Sequence, residues 1–93
     1  MLNNNQIETI INTISKYKTK QIGIFGSYAR NEETTKSDLD IFVSFNENIN
    51  LLQLIELENQ LSAYLNIKVD LITEHAIHPK IKSYILKDLK MIA

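Results

Sequence analysis

No cysteine and no tryptophan occur in the 93 residues; proline occurs once and glycine twice. Without cysteine there is no disulfide framework and no cysteine-based zinc site. With so little glycine and proline the chain is neither collagen-like nor a low-complexity linker. Long apolar runs are also missing. No stretch approaches the ~20 apolar residues that span a bilayer. The start, Met1-Leu2-Asn3-Asn4-Asn5, is polar and uncharged and lacks the basic head and apolar run of a signal peptide. The expectation is a soluble cytoplasmic protein with no membrane partner. An excess of either charge is absent too, the formal net charge being −1. No broad basic surface follows from that, so nucleic acid is not an expected partner. Lys16, Lys18 and Lys20 form a local cluster, read as solvated cations around a helix end.

What is present is an ordinary globular composition, 44% apolar and 23% charged. Disorder is not expected. A chain this long buries roughly two-thirds of its unfolded surface, enough for one core, so residues 1–93 are expected to form a single domain.

Ile7, Ile10, Ile11, Ile14 and Tyr17 recur at helical spacing behind the candidate caps Asn3–Asn5, which predicts a helix over about 5–17. Gln21 to Phe25 is short and β-rich and ends at Gly26-Ser27, which predicts a strand and a tight turn. A short helical turn over Tyr28–Asn31 and a polar loop over Glu32–Ser37 follow. From Asp38 to Phe45 the pattern alternates. Leu39, Ile41, Val43 and Phe45 fall on one face; Asp38, Asp40, Phe42 and Ser44 fall on the other. That is a strand.

After a loop, Leu51, Leu54, Ile55, Leu61 and Leu65 mark a helix over 51–65, with Asn50 as cap and Asn66 as a left-handed stop. Lys68 to Ile72 reads as a strand with Val69 and Leu71 inward and Asp70 opposite. Pro79 fits the first turn of a third helix, with Ile81, Tyr84 and Ile85 on its buried face. Lys90-Met91-Ile92 closes the pattern as a short edge strand. The fold class is α/β (α+β): a mixed β-sheet of three to four strands flanked by helices.

Chemistry concentrates between Gly26 and Asp40. Gly26-Ser27 stands after a strand and before a helical turn. Glycine lets the backbone turn sharply and approach a ligand. A helix start offers unpaired amides and a positive dipole end to a phosphate, and the Ser27 hydroxyl adds a donor. Asp38 and Asp40 are two apart on a strand. Their side chains share a face about 6.6 Å apart along it and suit a hard cation carrying phosphates. If the strand bearing Asp70 neighbours theirs, three carboxylates meet on one face and repel one another unless cations intervene. Read alone, Asp70 is more readily a surface acid that pairs with Lys68 or faces solvent. Arg30 either offsets phosphate charge or pairs with Glu32 or Glu33. Each piece alone is commonplace; spacing and strand context carry the weight.

With Ser-Tyr-Ala-Arg at 27–30 and Ser-Asp-Leu-Asp at 37–40, the segment resembles the DNA polymerase β-type nucleotidyltransferase superfamily. It is closest to the minimal nucleotidyltransferase family in its GSx10DxD form. That family's third carboxylate falls on Asp70 in Val69-Asp70-Leu71-Ile72. Asn31 departs from the glycine of many relatives, but asparagine tolerates left-handed geometry.

The resemblance implies a polymerase β-like nucleotidyltransferase core that transfers AMP from ATP. Asp38, Asp40 and Asp70 would be catalytic and would bind two Mg2+ ions; Gly26, Ser27 and Arg30 would bind the nucleotide. It also implies a partner, a HEPN-domain ribonuclease toxin modified on a tyrosine, with this chain as antitoxin. Two other readings remain: an antitoxin that neutralises by binding alone, and a transferase acting on a small molecule or an RNA end. Glu74, His75 and His78 have metal-like spacing but no further ligand nearby, and are not read as a zinc site. Tyr28 is read as stacking on a base or as packing. Tyr17, Tyr64 and Tyr84 are assigned to the core.

Overall fold

The computed structural model describes residues 2–93. Helix α1 (Asn4–Ile14) leads into strand β1 (Thr19–Phe25). Strand β2 (Leu39–Phe45), helix α2 (Leu51–Leu65) and strand β3 (Val69–Thr73) form the middle of the chain. A single 3-10 turn (Glu74–Ala76), helix α3 (Pro79–Asp88) and strand β4 (Lys90–Met91) complete it.

Local chemistry sets the helix ends. Asn3 and Asn50 each accept a bond from the backbone of the third helical residue, Gln6 and Gln53, whose side chains return the bond to the cap amide. Both helices therefore begin in full capping boxes. Asn66 ends α2 at φ 55°, as a left-handed cap. Pro79 occupies the first turn of α3, and His78 caps it by accepting from the Lys80 amide through Nδ1.

The strands form one mixed sheet in the order β3-β2-β1-β4. β1 pairs antiparallel with β2 and with β4, while β2 and β3 run parallel across the α2 crossover. β1 begins earlier than expected because Thr19 pairs with Phe45 across an irregularity between Thr19 and Gln21. α1 stops at Ile14, so Lys16, which the expected helix included, lies beyond it; Lys16, Lys18 and Lys20 are all exposed.

Period two divides the sheet into two unlike faces. Ile22, Ile24, Leu39, Ile41, Val43, Val69 and Leu71 pack with Ile10 and Ile14 of α1 and Leu57, Leu61 and Leu65 of α2. The opposite face carries a smaller cluster, in which Phe25 and Phe42 meet Ile85 of α3.

Three readings of the helices are corrected. On α2 the buried stripe runs through Leu57, while Leu51 and Ile55 are exposed. On α3 only Ile85 is buried; Ile81 and Tyr84 face outward, because the helix meets the sheet through Ile85 and Leu89. Tyr64 is also exposed, at 65%, and so does not belong to the core, whereas Tyr17 packs against it. Leucine is so dense at 51–57 that spacing alone does not choose the phase of the helix.

Candidate functional site

β1 delivers the chain into a sharp turn at Gly26, whose φ is +74°. That backbone region favours glycine. A Cβ added there would strike the Asp40 carboxylate, which would have to move away from the turn. The next residues make one helical turn. Both Ala29 and Arg30 donate their amides to the Gly26 carbonyl, at 3.0 and 3.2 Å. Ser27 and Tyr28 stand at its start, before the first bonded amide, where a helical turn presents N–H groups to an anion. Asn31 closes the turn in the left-handed region at φ 58°, the geometry its side chain tolerates.

Pairing of the strands assembles the acids. In the antiparallel β1–β2 register Phe25 lies opposite Asp40, which brings the turn beside that carboxylate. In the parallel β2–β3 register Asp40 lies opposite Asp70. Asp40, Asp70 and Phe42 therefore share the face that α3 partly covers. Asp38 sits one residue before β2, and its Oδ2 is 3.7 Å from Lys68 Nζ. Lys68 thus pairs with Asp38, not with Asp70 as one reading of the sequence had it.

Burial chiefly pushes the Asp40 carboxyl above its ordinary range, helped by the charges of Asp70 and Asp38; Arg30 pulls it the other way. This is the signature of like charges gathered at a half-buried point. Among the described residues, however, no three acidic or histidine side chains already converge as ligands of one ion. Asp38 faces Lys68, and that loose pair is well exposed and correspondingly weak. The donor set suits a hard cation in kind, because Mg2+ takes one or two carboxylates plus phosphate oxygens.

Arg30 Nε donates to Glu32 Oε2 at 3.1 Å, and Nη1 donates to Asp88 Oδ2 at 2.6 Å. The sequence offered Glu32 or Glu33 as a partner, and the structure shows Glu32. The sequence carried no signal for Asp88, which is remote in the chain. Tyr28 packs against the main core, and burial, then the Glu33 charge, raises its hydroxyl pKa. Further along the same sheet face the buried Ser44 hydroxyl donates to Glu74, a short contact that holds the Glu74 carboxyl below its ordinary range. The alternation of β2 put Ser44 on this face; its partner was not foreseen.

The chain is similar to known proteins in sequence and in fold. Residues 8–93 match the family described as polymerase beta, nucleotidyltransferase. The chain is 61% identical over 75 residues to a protein of Methanocaldococcus jannaschii provisionally named a protein adenylyltransferase, spanning 80% of this chain and 76% of that one. It is 37% identical over 94 residues to the protein adenylyltransferase MntA of Thermococcus cleftensis, spanning 96% and 95%. A crystal structure of a toxin–antitoxin with AMP-PNP superposes at TM-score 0.85 and 25% identity, over 99% of this chain and 73% of that one. A provisionally named minimal nucleotidyltransferase superposes at TM-score 0.81 and 28% identity, over 92% and 88%.

Proposed function

Because the chain belongs to the polymerase β nucleotidyltransferase family, we propose that it transfers AMP from ATP to a hydroxyl of a partner protein and so acts as an antitoxin. The acceptor in this reading is a tyrosine of a HEPN-domain ribonuclease toxin, and the setting is the cytoplasm. One observation carries the chemistry: the register that sets Asp40 opposite Asp70 and beside the Gly26 turn. Support for a protein acceptor comes from relatives named as protein adenylyltransferases and from the fold likeness to a toxin–antitoxin holding an ATP analogue.

Asp38 and Asp40 would hold Mg2+, with Asp70 completing a second site. When bound, the ions supply positive charge to the attacking and leaving oxygens of an in-line displacement. Every other task falls to the chain. The first amides of the turn, with the Ser27 hydroxyl, receive the β- and γ-phosphates. Arg30 adds fixed positive charge at the same turn. The acceptor hydroxyl attacks the α-phosphorus and forms the new P–O bond. The bond from the α-phosphorus to the bridging oxygen breaks, and pyrophosphate leaves. The hydroxyl proton passes to Asp70. A net charge of −1 gives no broad basic surface to grip RNA. An acceptor that brings its own docking surface fits better.

Position-specific labelling tests the reaction class. With Mg2+ and a HEPN-type partner, label in the α-phosphate of ATP should appear on the partner and label in the γ-phosphate should leave with pyrophosphate. Transfer of γ-label would make the chain a kinase and sink this reading.

A further inference from the structure

Resting on the nucleotidyl-transfer reading, we propose that Asp88 is a positioning residue, which holds the Arg30 guanidinium so that it meets the triphosphate already oriented. Asp88 is the last residue of α3 and lies far from Arg30 in the chain. Its Oδ2 nevertheless accepts from Arg30 Nη1 at 2.6 Å, and its side chain is only 17% exposed. The second partner, Glu32, takes Nε at 3.1 Å and is 66% exposed. Asp88 is thus the sheltered member of the pair, and sheltered charges are screened less by solvent and salt.

The two bonds engage Nε and Nη1 and leave Nη2 to donate elsewhere. Arg30 lies one helical turn after Gly26, to whose carbonyl its amide donates, and Gly26 packs against Asp40. The guanidinium is bonded to Asp88 at the end of α3, and its charge reaches the Asp40 carboxyl. Glu32 and Asp88 offset part of the Arg30 charge, though that charge still acts on Asp40. What the arrangement supplies is direction, because a long side chain otherwise loses much rotamer freedom on meeting a ligand. A purely mechanical role is less economical: Ile85 on Phe25 and Phe42 already fastens α3 to the sheet.

The test measures AMP-PNP binding in the presence of Mg2+ to the full chain by calorimetry, with thermal unfolding of each variant beside it. Asp88→Ala should weaken AMP-PNP about three- to tenfold, the range expected for one long side chain left to be ordered on binding. Asp88→Glu should restore part of the loss. In an Arg30→Ala background Asp88→Ala should cost nothing more. Equal or tighter binding by Asp88→Ala overturns the proposal. So does an equal loss in the Arg30→Ala background, which would mark Asp88 as merely structural. Failure of the wild-type chain to bind AMP-PNP at all would sink the transfer reading as well. Binding that ignores Asp88 sinks this inference alone.

Discussion

At Asp40 the requirements of folding and of the site diverge. Its carboxyl is raised above the ordinary 3.8 by burial first and by Asp70 and Asp38 next. A raised folded-state pKa means that the native chain holds this proton more tightly than the unfolded one. The resulting stability is complete below the unfolded value and is lost as pH rises through the folded one. At neutral pH the ionised Asp40 therefore weighs against the fold. Asp40→Asn should raise the melting temperature at pH 7 by a few degrees, with the gain shrinking as pH falls into the carboxylate range. On the proposed reading, in which Asp40 holds Mg2+, the ion should raise the melting temperature of the wild type more than that of Asp40→Asn. Calorimetric scans across pH, with and without Mg2+, check both. A variant that melts lower at neutral pH would show that Asp40 is a structural acid.

Among the elements, β3 is an edge strand that would expose backbone amides to any pairing chain. α2 covers it chemically. Ser62 Oγ accepts from the Val69 amide at 3.0 Å, and Glu58 Oε2 accepts from the Leu71 amide at 2.8 Å. The same strand carries Asp70, so α2 steadies one wall of the site from behind. Glu58→Ala should cost about 1–2 kcal/mol, the range for a sheltered amide left unpaired. Urea unfolding measures it. A loss of AMP transfer no larger than the lost folded fraction is expected, since Glu58 lies at the sheet's edge and not among the acids.

How much of these elements the sequence disclosed follows from the range of the cause. Asn3, Asn50 and Asn66 act on amides or torsions within a turn of themselves, and their roles were legible. So was the alternation from Asp38 to Phe45, which put Asp40 and Phe42 on one face, although the strand itself begins at Leu39. Asp70 was legible only as a conditional, because nothing local says that β2 and β3 are neighbours. The phase of α2 was misread because Leu51, Leu52, Leu54, Ile55 and Leu57 supply more apolar positions than one stripe uses. The outward turn of Ile81 and Tyr84 depends on how little of α3 reaches the sheet. The Arg30–Asp88 bond joins two ends of the fold, and no spacing rule announces it.

For the whole molecule, division of labour between the two faces is the organising fact. One face is a hydrophobic core under α1 and α2 that sets the register of the strands. The other is only partly covered by α3 and leaves Asp40 and Asp70 beside the Gly26 turn. Among the described residues no helix is long and apolar enough to cross a membrane. Several large apolar side chains are exposed, Leu52 at 75% and Tyr84 at 76% among them. An antitoxin that works by catalysis and one that works by coating its target differ in which surface matters. The Asp38→Asn/Asp40→Asn double variant separates them, since it leaves the outer surface nearly intact while removing two of the three acids. The most direct measurement is the intact mass of a HEPN-type partner after incubation with ATP, Mg2+ and either form of this chain. The wild type should add one or more AMP units to a tyrosine, and the double variant should add none. An unmodified partner in both reactions, or equal modification by the double variant, would contradict the account.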